Sequence, residues 1–162
     1  MFMEFCRWLE HTSLGVSIAQ SAWLFPLIES VHVIALALVV GSIAIVDLRL
    51  LGLASKDRLV SQLSEELLPF TWSAFGVAAV SGFLLFMSNA VGYIENYLFR
   101  TKLLLLVLAA ANMGVFHFLT YRTVSQWDRE VAALPTGAKV AGGLSLLIWL
   151  SIIVVGRWIG FI

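Results

Sequence analysis

Residues 31–46 read VHVIALALVVGSIAIV and stop at Asp47-Leu48-Arg49. His32 is the only ionisable side chain in that run. Such a block has no place in a water-soluble surface. Extended back to Trp23 and Pro26 it covers the roughly 20 residues a helix needs to cross the hydrocarbon core. Trp23 suits an interfacial anchor, and Pro26 suits a first helical turn, where its missing N–H costs nothing. The stretch therefore predicts a membrane span over about residues 23–53.

Three more blocks of the same kind follow, over about 69–93, 97–121 and 137–162. Gly76, Ser81 and Gly82 give the second small residues for close helix approach. The third opens with Arg100 and Lys102, and the fourth follows Pro135-Thr136. Ahead of the first span, Phe2, Phe5, Trp8 and Leu9 recur at helical spacing among Glu4, Arg7 and Glu10. That pattern predicts a short amphipathic helix in the interface. Residues 11–22 read as a loop or a second short helical piece. The expected fold is all-α: a four-transmembrane-helix bundle forming one domain over residues 1–162, with a short amphipathic N-terminal segment.

Composition agrees. Of 162 residues, 60% are hydrophobic and 12% charged, against about half and about a quarter in soluble domains. The formal charge is zero with no basic tract, which excludes a nucleic-acid role. A single cysteine, Cys6, excludes an internal disulfide and any cysteine-built zinc or iron–sulfur centre. Glu4, Arg7, Glu10 and His11 interrupt the N-terminus before an apolar core develops, so it does not read as a cleaved signal peptide.

Four spans put both termini on one face, side A. Side B carries Arg49, Lys56, Arg58, Arg122, Arg129 and Lys139, whereas side A carries Arg7, Arg100, Lys102 and Arg157. The positive-inside rule then places side B in the cytoplasm of a bacterial inner membrane, with both termini outside.

Ionisable groups inside a span are costly and point to function. His32 lies one helical turn beyond Glu29, on a stripe that continues through Leu36, Val40 and Ile43 to Asp47. His117 belongs to a second stripe with Lys102, Leu106, Ala109 and Met113. Two histidines on separate helices suggest the axial ligands of a b-type haem. Counted along the helices, however, they differ in height by roughly 10–15 Å, which disfavours one bis-histidine haem within a chain. A better-levelled set gathers near side A: His32, Met87 as a possible second ligand, and Arg100, Lys102 and Arg157 as partners for two propionates. Structural roles compete for every member. The histidines suit interhelical hydrogen bonds, the methionines suit core filling, and the cations suit snorkelling to headgroups. Asp47 and Arg49 read as helix-end residues that pair with neighbouring loops, and Trp149, in mid-span, should pack internally.

The run Ser21-Ala22-Trp23-Leu24-Phe25-Pro26-Leu27-Ile28-Glu29-Ser30-Val31-His32, with Gly41 and Asp47-Leu48-Arg49-Leu50-Leu51-Gly52, resembles an uncharacterised bacterial family of four-helix membrane proteins. The resemblance continues through Phe99-Arg100-Thr101-Lys102, Asn112-Met113-Gly114-Val115-Phe116-His117 and Gly156-Arg157-Trp158-Ile159. That family is distantly similar to the HemJ-type protoporphyrinogen oxidases, where His32 and Lys102 would match a histidine and a lysine, and to CopD-like copper-resistance membrane domains. The resemblance implies a haem-binding or redox bundle. The expected function is thus a membrane b-type haem protein acting in electron transfer or as a small oxidoreductase. His32 and His117 are its candidate iron ligands, and its partners are the bilayer and a redox partner or other membrane subunits. The alternatives are a non-enzymatic accessory subunit, or a copper-binding or transport module using His32, His117, Met87 and Met113. Small-residue faces such as Gly142 with Leu146 and Trp149 allow a homo-oligomer.

Overall fold

The computed structural model describes residues 1–128 and 134–161. Arg129 and Glu130, counted above in a side-B loop, and the span end at Ile162 lie outside the described residues. The chain is helical, with four helices long and apolar enough to cross a bilayer: Leu24–Leu50, Val60–Met87, Tyr97–Trp127 and Thr136–Trp158. This is the build of a multi-pass membrane protein. In chain order the elements are α1 (Phe2–Glu10), α2 (Ser13–Gln20), α3 (Leu24–Leu50), α4 (Val60–Met87), α5 (Ala90–Glu95) and α6 (Tyr97–Val115). α6 runs on through a π-helical turn, Phe116–Thr120, and a 3₁₀ turn, Tyr121–Thr123, into α7 (Val124–Trp127); α8 spans Thr136–Trp158.

The second span differs most from the sequence expectation. It begins at Val60 rather than near Pro69, and ends at Met87 rather than Tyr93. The start is capped from far away: the Asp128 carboxylate accepts the Val60 N–H, the Ser61 N–H and the Ser61 hydroxyl. A carboxylate at a helix N-terminus satisfies orphan donors and complements the dipole. Pro69 is consequently interior, where it denies the Glu65 carbonyl its ordinary helical partner. At the other end the chain turns at Ser88-Asn89 and starts α5, where Glu10 of α1 accepts the Val91 N–H at 2.8 Å.

α3 packs against α4 and α8, and α6 packs against α8, so the spans run in the order α4–α3–α8–α6. All four contribute to one core cluster of Val39, Ala74, Ala109, Ile148, Trp149 and Ile152. Trp149 is buried, as expected of a mid-span tryptophan facing inward. A second cluster, Leu50, Val60, Trp127, Leu134 and Ala138, closes side B. Outward faces are apolar: Ile34, Val80, Val107 and Leu147 are all more than half exposed. The hydroxyls on that outer surface bond to their own helices. Ser30, Ser73, Thr101 and Ser151 each donate to the carbonyl four residues back at 2.7–2.9 Å, which removes an unmet donor from lipid.

Two polar rungs join α3 to α4. His32 meets Ser81 at 3.0 Å, and Thr71 donates to Ser42 at 2.7 Å. Ten residues down α3 correspond to ten residues up α4, so both rungs obey one antiparallel register and lie about 15 Å apart. Between them Ala35 faces Ala78 and Val39 faces Ala74, all four buried. Asn112 performs the same office between α6 and α8, donating to the Ala141 carbonyl at 3.0 Å.

Candidate functional site

His32 is half-buried where α3 leans on α4. Ser81 explains its tautomer. The hydroxyl has a single proton, and the Val77 carbonyl sits 2.6 Å away to take it. The serine oxygen is then an acceptor for His32 Nδ1–H at 3.0 Å. A donating Nδ1 leaves Nε2 with its lone pair, the arrangement found when a histidine serves as a ligand or base. Gly82 supplies the space. A Cβ built there would lie 2.8 Å from His32 Cε1 and 3.7 Å from Nε2. Ser81 and Gly82, which in sequence read only as small packing residues, are thus the seat of the imidazole.

Lys102 completes this level. Its side chain lies along α8, with Nζ 3.6 Å from a Cβ built at Gly156, and its ammonium is within Coulombic range of His32. Among the described residues the ion pairs are Met1 with Glu4 at 2.9 Å and Arg58 with Glu66 at 2.5 Å, so Lys102 has no carboxylate partner. The site therefore joins an unprotonated imidazole nitrogen to an uncompensated cation inside a bundle. In chemical terms that combination can offer a lone pair to a metal or proton donor and a positive charge to an anionic group.

The other candidates do not converge on it. Met87 lies six residues beyond Ser81, about 9 Å nearer side A along the helix. It is buried, with its carbonyl 3.0 Å from a Cβ built at Gly15 of α2. The expectation that Met87 shares His32's height is corrected by the Ser81 rung, which fixes the register. His117 lies fifteen residues beyond Lys102, roughly 22 Å along the helix. It sits on the π-helical turn, exposed, and stacks on Tyr121 at 5.4 Å between centroids. The height difference inferred from sequence is therefore larger, not smaller. Arg100 and Arg157 are at the right end of the bundle but exposed, Arg157 lying 4.8 Å over the Phe161 ring. Met113 is half exposed. Among the described residues no three His, Cys, Asp or Glu side chains gather as a metal site.

An aromatic cluster joins α4, α5 and α6 near side A. Phe86 of α4, Tyr93 of α5 and Phe99 of α6 pack with centroids 5.4–6.4 Å apart. Burial, and then the nearby Glu29 carboxylate, push the Tyr93 hydroxyl above the ordinary phenol range.

A second polar centre lies at side B. Arg49 is 1% exposed and Asp47 5% exposed. Arg49 Nε donates to the Arg58 carbonyl at 2.7 Å, and Nη2 to the Asp128 carbonyl at 3.3 Å. The expectation that these residues pair with neighbouring loops holds for Arg49, which ties both side-B loops to the end of α3. Asp47 faces α8 instead, beside Ser145, and a Cβ at Gly142 would lie 3.0 Å from its carbonyl oxygen. Asp47 Oδ2 and Arg49 Nη1 have no hydrogen-bond partner among the described residues.

The model of a family of unknown function, DUF6644, matches residues 5–162. The chain belongs to DUF6644. The match covers α1 to the end of α8, so the N-terminal helices are part of the family's architecture and not an appendage. No curated protein and no solved structure matches the chain.

Proposed function

We propose that this DUF6644 member is a haem b-binding protein of the bacterial inner membrane, acting in electron transfer or as a small oxidoreductase. One observation carries the reading. The Ser81 hydroxyl, committed to the Val77 carbonyl, sits 3.0 Å from His32 Nδ1 and so favours the tautomer with Nδ1 as donor, which suits an imidazole that ligates through Nε2. Bound haem would supply one-electron exchange. The protein's part is to bind and orient it: His32 Nε2 ligates, Ser81 fixes the ring, Gly82 makes room, and Lys102 offsets a propionate.

The donor set fits haem in one respect and not in another. The imidazole and the unpartnered lysine suit an iron and a carboxylate. A second axial ligand at His32's level is not offered by Met87 or His117, whose heights differ by about 9 Å and about 20 Å. The proposal is therefore that His32 would be the one ligand each chain supplies. Side B, with Lys56, Arg58, Arg122 and Lys139, is placed in the cytoplasm. The His32 level then lies in the outer half of the membrane.

Titrating the purified apoprotein in detergent with haemin tests the reading. Wild type should give a saturable Soret shift. Ser81→Ala should weaken binding by about 10–100-fold, the usual effect of losing a histidine's second hydrogen bond. Equal binding by wild type and His32→Ala would overturn it.

A further inference from the structure

The side-A cations are not all used by the His32 level, and two of them point elsewhere. α6 and α8 are antiparallel neighbours, and the Lys102 stem lies 3.6–3.8 Å from a Cβ built at Gly156. The side-A ends of these adjoining helices carry Arg100 on α6 and Arg157 on α8. Arg100 and Arg157 are both exposed there. Among the described residues neither has a carboxylate within ion-pair distance; the ion pairs there use Glu4 and Glu66, and Glu10 accepts from the Val91 N–H. The N-terminal end of α6 adds its partial positive charge at the same place, starting at Tyr97. Exposed aromatics flank the pair: Tyr97 at 57%, Trp158 at 57% and Phe161 at 72%. Such side chains mark the headgroup level of a bilayer. Arg157 already rests on Phe161 at 4.8 Å, which holds the guanidinium at that level rather than free in solvent.

We infer that Arg100 and Arg157, at the side-A end of the α6–α8 ridge, form a binding site for the phosphate of an anionic phospholipid. The charge selects an anion, and guanidinium groups suit phosphate oxygens. The aromatic flank selects a lipid over a soluble anion, because tails beside Trp158 and Tyr97 would run down the apolar outer faces of Leu104, Leu150 and Val154, each exposed. The site lies on the exposed outer surface, next to the half-buried Lys102 of the His32 site, and does not depend on haem.

Native mass spectrometry of the full chain in mild detergent tests this, using phosphatidylglycerol, phosphatidylcholine and inorganic phosphate as probes. Wild type should bind phosphatidylglycerol in preference to phosphatidylcholine. The double variant Arg100→Gln/Arg157→Gln should lose about thirtyfold in phosphatidylglycerol affinity, on the usual worth of two cations near a lipid surface. Arg100→Lys/Arg157→Lys should recover most of it. Because both side chains are exposed, the variants should keep the wild-type elution volume and helical circular dichroism. Equal binding of the two lipids overturns the inference, as does an unchanged affinity in the glutamine variant. Inorganic phosphate competing at low millimolar concentration would also overturn it, by showing a free-anion site.

Discussion

Gly82→Ala should act on the bundle through His32 and through little else. The added Cβ would stand 2.8 Å from Cε1 of the imidazole, with Nδ1 at 3.4 Å and Nε2 at 3.7 Å. Ordinary contact begins near 3.5 Å between carbon atoms, so the ring must retreat by more than half an ångström. It is held by a 3.0 Å bond to Ser81, and the retreat takes that bond toward its limit. Overpacking of this kind costs about 1–3 kcal/mol, and an interhelical hydrogen bond in a membrane bundle adds about 0.6 kcal/mol. The expected loss is about 1.5–3.5 kcal/mol. A double-mutant cycle with His32→Ala isolates the cause, measured by equilibrium denaturation of the detergent-solubilised protein. In the His32→Ala background the methyl meets empty space, so Gly82→Ala should cost less than about 0.5 kcal/mol. A cost that persists there would refute the packing assigned to His32, and so would no cost in the wild-type background.

Other consequences follow from the same geometry. Asp128→Ala removes the acceptor for three donors at the start of α4, and should destabilise the protein by about 1–3 kcal/mol. Hydrogen exchange at Val60 and Ser61 should quicken while mid-span α4 stays protected. The shared register of the two α3–α4 rungs puts Ala35 level with Ala78; in a Cys6→Ser background, Ala35→Cys/Ala78→Cys should cross-link on oxidation. Ala35→Cys/Met87→Cys, about 13 Å out of register, should not. Lys56→Cys should react with a membrane-impermeant maleimide only after the cytoplasmic face is opened; labelling of intact spheroplasts would reverse the orientation.

The spans were legible because lipid leaves a helix no choice but a long apolar run, and residues 31–46 show that run almost uninterrupted. The helix ends were less legible. The start of α4 depends on Asp128, a residue in a loop two helices later, so local sequence offers Pro69 as the only visible boundary. The start of α5, just past the end of α4, is likewise held by Glu10 reaching Val91 from α1. At the site, His32 and Lys102 stood out because charge in a span is rare. Ser81 and Gly82 did not, since a small residue in a membrane helix ordinarily signals packing alone. Their role appears only when the α3–α4 register is known. The height problem for His117 was readable from helical rise, and the π-helical turn that carries it was not. Arg49 read as a helix stop, yet it is buried, because its partners are backbone carbonyls that no side-chain pattern announces.

The central claim is that His32, seated on Ser81 and Gly82, ligates haem. The absorbance spectrum of protein purified in detergent from haem-replete cells tests it most directly. Wild type and His117→Ala should show the same Soret band, and His32→Ala should lose or shift it. A colourless wild-type protein, or a Soret band unchanged by His32→Ala, would contradict the claim.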